Sequence, residues 1–143
     1  HIGLTPQTAS ALGGFKMQGK DAAAAMQIID DARGLQDAGV FSIVLEAVPA
    51  PLGKLVSEAV TVPIIGIGAG PDVDGQVLVT HDMVGLFDKF VPKFVKQYTQ
   101  IRTIILEAMK AYKKDVLDAG FPGPEHSFKM PAETLEQLKK MIG

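Results

Sequence analysis

Two short apolar runs, separated by a helix-like segment, limit the folds open to this chain more than anything else in it. The first is Phe41-Ser-Ile-Val-Leu-Glu46-Ala-Val-Pro49; the second is Val62-Pro-Ile-Ile-Gly-Ile-Gly-Ala-Gly-Pro71. Phe41–Leu45 is nearly continuous in apolar character, which suits a parallel strand covered on both faces better than an alternating one. Strand, helix and strand in this order describe a parallel β/α unit. The first run ends in a lone carboxylate, Glu46, followed at once by a turn. The carboxyl end of a strand is where such architectures put their chemistry.

The flanking segments extend the pattern. The first twenty residues read mostly as loop, with turn signals at Thr5-Pro6 and Gly13-Gly14. Asp21 is a plausible N-cap for a helix whose apolar positions Ala22, Ala25, Met26, Ile29, Ala32 and Leu35 recur at steps of three and four. Gly39 suits the left-handed position after its end. Pro49 and Pro51 open a second helix, with Leu52, Leu55, Val56 and Ala59 as its inner stripe. Ile64–Ile67 is the second strand and Gln76–Thr80 a third. From Pro92 to Asp118 the pattern is helical, with a break near Thr99; Gly120–Pro124 is an extended link and Pro131–Ile142 a terminal helix. Three strands alone cannot close a covered sheet. The chain is therefore a small open α/β sheet or the second half of an eight-stranded β/α barrel.

Composition sets outer bounds. A chain of 143 residues with 47% hydrophobic residues holds one globular core. A net charge of −2 gives no reason to expect nucleic acid or an anionic membrane as partner. With no cysteine there are no disulfides and no thiolate metal sites, which fits a reducing, cytoplasmic setting. No apolar run is long enough for a membrane helix. The opening His1-Ile-Gly-Leu-Thr-Pro-Gln7 reads as the interior of a domain, so the chain is expected to be a piece of a longer protein.

Glu46 leads the candidates for chemistry. Poor solvation at the end of a buried strand raises a carboxyl pKa and favours proton transfer near neutral pH; the plain alternative is a rim glutamate facing water. Gly66-Ile-Gly-Ala-Gly70 could bring backbone N–H groups to an anion, but it opens no helix and carries no P-loop lysine, so a tight turn is the favoured reading. His81-Asp82 after a strand could be a base with its orienter or half a metal site, with a structural pair as the default. His126 defaults to a surface or docking role. Asp72 and Asp74 flank a turn, where local hydrogen bonds are expected. No His, Asp and Glu cluster has metal-ligand spacing.

Several motifs together resemble the 3-methyl-2-oxobutanoate (ketopantoate) hydroxymethyltransferase family. They are His1-Ile-Gly-Leu-Thr-Pro-Gln7, Gly13-Gly-Phe-Lys-Met-Gln-Gly19, Val44-Leu-Glu-Ala-Val-Pro49, Pro63–Pro71, Asp74-Gly-Gln-Val-Leu-Val-Thr-His-Asp82 and Pro122-Gly-Pro-Glu-His-Ser-Phe128. The resemblance covers nearly the whole chain, with Ala47 where many members carry cysteine. It implies a (β/α)8 TIM barrel of the phosphoenolpyruvate/pyruvate type, of which residues 1–119 would be the C-terminal half and 120–143 an extension. It implies hydroxymethyl transfer from 5,10-methylenetetrahydrofolate to 3-methyl-2-oxobutanoate, giving 2-dehydropantoate on the way to pantothenate, and use of Mg²⁺. By the same resemblance Glu46 is the catalytic acid/base and His1 lies near the bound keto acid. The metal-binding carboxylates and further substrate contacts would lie upstream of His1. The implied partners are an N-terminal half of the barrel and further copies in a decamer-like homo-oligomer. A related 2-oxo acid lyase without folate, or a half-barrel serving only as scaffold, are the competing expectations.

Overall fold

The computed structural model describes residues 1–8, 14 and 16–143. Gly13 and Phe15, which belong to one of the motifs above, lie outside the described residues. The chain forms two compact units, His1–Thr99 and Gln100–Gly143.

The first unit is a parallel sheet of four strands in sequential order, β1 Ile2–Gly3, β2 Ile43–Glu46, β3 Ile64–Ile67 and β4 Gly75–Gln76. Helix α1, Ala22–Asp37, joins β1 to β2, and α2, Ala50–Ala59, joins β2 to β3. The α1 start is fixed by Asp21, whose carboxylate accepts from the Ala24 N–H at 2.9 Å. Its end is a Schellman turn: Gly39 N–H donates to Gln36 O at 2.9 Å and Val40 N–H to Leu35 O at 3.3 Å. Strand alternation turns Ile43 and Leu45 toward the helices, where they are buried with Ile2, Ile28, Ala32, Leu52, Val56 and Ile64. Val44 and Glu46 point to the opposite face and are only partly covered.

Several sequence expectations change. The opening loop contains a strand, β1, paired in register with β2 through Ile2 to Leu45 and Gly3 to Glu46, so the sheet has four strands and not three. The first long strand begins at Ile43, whose N–H donates to Pro63 O at 2.9 Å; Phe41 before it is 90% exposed. The strand expected over Gln76–Thr80 is cut to Gly75–Gln76, and Thr80–Met83 is a helical turn, α3. Among the described residues β4 is an edge strand with no neighbour on its far side to reward further extension, and Val77 and Val79 stay exposed. The helix expected from Pro92 starts only at Ile101, because Tyr98 N–H donates to Met83 O at 2.8 Å and so is withdrawn from a helical ladder. Leu55, assigned to the α2 inner stripe, is exposed; Leu52 and Val56 are the buried pair.

The second unit holds α4, Ile101–Leu117, and α5, Ala132–Ile142, joined through a turn at Pro124–His126. The Phe121 ring meets Tyr112 edge-on at 5.7 Å and lies 4.9 Å from the His126 ring. Ile105, Met109, Tyr112 and Val116 of α4 are exposed. No helix among the described residues is long and apolar enough to cross a membrane.

Candidate active site

Glu46 is the last residue of β2, on the face away from the helices. Its register partners are Gly3 of β1 and Ile67 of β3. The backbone around it is pinned on both sides: Leu4 N–H donates to Glu46 O at 2.9 Å and Ala47 N–H to Ile67 O at 2.9 Å. Ala47 itself adopts φ 51°, which ends the strand abruptly and leaves Glu46 at the mouth. Gln18 N–H donates to Ala47 O at 2.9 Å, bringing the segment before α1 alongside the same strand end.

His1 stands two residues before Gly3, so strand alternation puts it on the Glu46 face. Its Nε2 lies 3.0 Å from Glu46 Oε2. The Glu46 side chain is only 13% exposed, against 37% for His1. Burial pushes the Glu46 carboxyl above the ordinary carboxylate range. A carboxyl held in this way gives up and regains a proton closer to neutral pH than a solvated one. The imidazole Nε2 lies within hydrogen-bonding distance of the carboxyl across this contact.

Gly3 makes this approach possible. It sits at φ +80°, and a Cβ there would press into the Glu46 carbonyl oxygen and lie 3.1 Å from Val48 Cγ1. Only glycine allows β1 to lie this close to the strand end.

The other candidates are elsewhere or structural. His81 and Asp82 lie on α3 rather than after a strand, with His81 exposed. Gly68 and Gly70, at φ 67° and 87°, form a turn that needs left-handed backbone. Asp74 does more than cap its own turn: its Oδ2 accepts from Ile64 N–H at 2.8 Å and from Ser57 Oγ at 3.3 Å, tying the start of β3 to α2. In the second unit, His126 Nδ1 accepts from Gly123 N–H at 3.1 Å, a local bond. Among the described residues no three His, Asp or Glu side chains come together to hold a metal ion, so the side chains present do not make a metal centre by themselves.

The sequence reading did not find Gly3, whose signal is its pairing with Glu46. Nor did it find the open groove of about 460 Å³ beside Gly68, lined by Gln76, Met83, Phe94, Lys96 and Tyr98. Aromatic and lysine residues alternate over Phe90–Tyr98, but the helical reading of that segment concealed the pattern.

A parallel β/α sheet with a partly desolvated carboxylate at a strand's carboxyl end, and a histidine beside it just ahead of the neighbouring strand, forms one arc of a β/α domain. The profile of the ketopantoate hydroxymethyltransferase family matches residues 1–124, and the chain belongs to that family. It is 58% identical over 143 residues to the 3-methyl-2-oxobutanoate hydroxymethyltransferase of Syntrophobacter fumaroxidans, covering 100% of this chain and 50% of that protein. The enzymes of the same name from Heliobacterium modesticaldum and Oleidesulfovibrio alaskensis are 56% and 54% identical, covering 93% and 99% of this chain and 48% and 49% of those proteins. The chain thus spans about half the length of the curated relatives it matches. The four parallel strands among its described residues are half the number that closes a (β/α)8 barrel.

Proposed function

We propose that this chain supplies the acid–base half of a hydroxymethyl transfer from 5,10-methylenetetrahydrofolate to 3-methyl-2-oxobutanoate, forming 2-dehydropantoate. The observation that carries the reading is the His1–Glu46 contact at 3.0 Å, at the mouth of a sheet whose sequence belongs to this family. In the reaction the C3–H bond of the keto acid breaks and Glu46, ionised, takes the proton. C3 then bonds to the methylene carbon of the donor as one of its C–N bonds breaks; water replaces the second nitrogen on that carbon and supplies the new hydroxyl, and the protons released from C3 (by way of Glu46) and from water end on the two donor nitrogens. Desolvation makes the Glu46 carboxylate a stronger base than a solvated glutamate. His1 holds Oε2 in place and presents its edge to the keto acid.

Residues 1–119 act in this reading as the C-terminal half of a TIM barrel, with 120–143 as an extension. The N-terminal half of the same barrel is the partner that completes the substrate site. Mg²⁺, with ligands upstream of His1, a homo-oligomeric assembly and a cytoplasmic setting belong to the same proposal.

The test is a half-reaction. With the N-terminal half and Mg²⁺ present, the C3 proton of 3-methyl-2-oxobutanoate should exchange in D₂O, followed by NMR. Absence of both exchange and folate-dependent product would refute the proposal. Product formed without folate would point instead to a 2-oxo acid lyase.

A further inference from the structure

The residue after Glu46 is held in a conformation that its side chain disfavours. Ala47 sits at φ 51°, in the left-handed region where a Cβ is strained. Such a conformation persists only where the surroundings over-determine it, and it clusters at functional sites. Three backbone bonds converge on Ala47 and the peptide that follows it. Ala47 N–H donates to Ile67 O at 2.9 Å, which continues the pairing of β2 with β3. The peptide between Ala47 and Val48 is gripped at both ends: Val48 N–H donates to Gly68 O at 3.1 Å, and Ala47 O accepts from Gln18 N–H at 2.9 Å. A planar trans peptide carries its C=O and N–H in opposite directions. Rotating Ala47 out of the left-handed region would therefore turn the peptide away from both partners.

Ile67 and Gly68 belong to β3 and the turn after it, whereas Gln18 comes from a separate segment just before α1. That segment is itself fixed. Gln18 is half-buried, and its Nε2 donates to Lys16 O at 2.8 Å, which folds the side chain back on its own backbone. The next residue, Gly19, sits at φ +68°; a Cβ there would press into Leu52 of α2 and lie 3.0 Å from Ile28 Cδ1 of α1. Its backbone thus lies directly on the core, and the Gln18 N–H is presented to Ala47 from a firm base.

We propose that Gln18 is a positioning residue for Glu46. Its N–H keeps Ala47 in the left-handed turn, and that turn keeps the Glu46 carboxyl at the mouth of the sheet beside His1 instead of letting the strand run on. Gln18 acts on the reaction through Ala47 and not through the substrate. The inference rests on the hydroxymethyl-transfer reading above, in which Glu46 takes the C3 proton.

The experiment uses the chain together with its N-terminal half and Mg²⁺, with kcat and KM measured for C3–H exchange of the keto acid in D₂O. Gln18→Pro removes the N–H; Gln18→Met leaves it and removes only the bond to Lys16 O. Each is made in the unsubstituted protein and again beside Ala47→Gly, where the left-handed turn carries no Cβ strain and needs no holder. Gln18→Pro should lower kcat about 10–100-fold with the keto acid KM within about twofold, because a misplaced acid spoils proton transfer rather than binding. Gln18→Met should lower kcat about threefold, and beside Ala47→Gly both losses should shrink to about twofold or less. Thermal melts identify the folded variants, and if Gln18→Pro does not fold, the Gln18→Met pair decides. Losses of equal size with and without Ala47→Gly, or an unchanged kcat in the folded variants, overturn the positioning role while the unsubstituted protein still exchanges the C3 proton. Absence of exchange in the unsubstituted protein overturns the reading beneath it.

Discussion

Replacing Gly3 by alanine tests whether β1 is what holds His1 against Glu46. At φ +80° any residue with a Cβ carries the left-handed strain of about 1–2 kcal/mol. At Gly3 the added Cβ also meets the Glu46 carbonyl oxygen, which already accepts from Leu4 N–H at 2.9 Å. Relief requires β1 to back away, and losing that hydrogen bond costs about 1 kcal/mol more. The total, roughly 2–4 kcal/mol, corresponds to a fall in Tm of roughly 5–15 °C for a protein of this size. Gly39 supplies the control. It sits at φ +85° with nothing within 4 Å of the place a Cβ would take, so Gly39→Ala carries the left-handed strain alone. Thermal unfolding of both variants, each together with the N-terminal half, separates strain from clash. Gly3→Ala should lose more stability than Gly39→Ala, and it alone should lose turnover, because His1 moves with the strand. Equal losses in the two variants, or full turnover in Gly3→Ala, would refute the argument that close packing of β1 builds the site.

Glu46→Gln should slow turnover about 10²–10⁴-fold, the usual worth of a positioned acid/base, and an unchanged rate would return the residue to a structural role. The acid limb of the rate profile should lie above the ordinary carboxylate range, since turnover needs the ionised form and burial raises its pKa. The same shift has a sign for stability: the unfolded carboxyl ionises first, so the Glu46 contribution is fully present below its unfolded pKa and is lost as pH rises through the folded one. Denaturant unfolding should therefore show that Glu46→Gln weakens the fall in stability over that window; a steeper fall would contradict the desolvation argument. Asp74→Ala should cost about 1–3 kcal/mol in urea unfolding by leaving Ile64 N–H without its acceptor, with the Glu46 end of the sheet intact. The isolated chain should bind a hydrophobic dye and lose that binding when the N-terminal half is added, because Val44 and Ile65 are only partly covered and, among the described residues, the outer edges of β1 and β4 are unpaired; a monomer that unfolds cooperatively without dye binding would refute this.

The parts of the fold legible in the sequence are those with local causes. Asp21, Gly39 and the paired prolines Pro49 and Pro51 mark helix ends by what their own backbone does, and α1 and α2 lie where those signals put them. The segments that misled are those whose fate is decided by a distant partner. Gly75–Thr80 has the β-branched composition of a long strand, yet it stops once pairing with β3 ends. Residues 92–100 carry helical spacing, but one bond from Tyr98 to Met83 redirects them.

The site follows the same rule. Glu46 was visible as the one carboxylate in an apolar strand, whereas His1 has no periodicity or neighbour to mark it. What joins them is the register of a two-residue strand, Ile2 to Leu45 and Gly3 to Glu46. A slip of one residue would turn His1 to the helix face and leave Glu46 alone. The His1–Glu46 contact is therefore a product of parallel pairing between strands separated by the whole of α1, and the glycine that permits that pairing shapes the contact as much as the two side chains do.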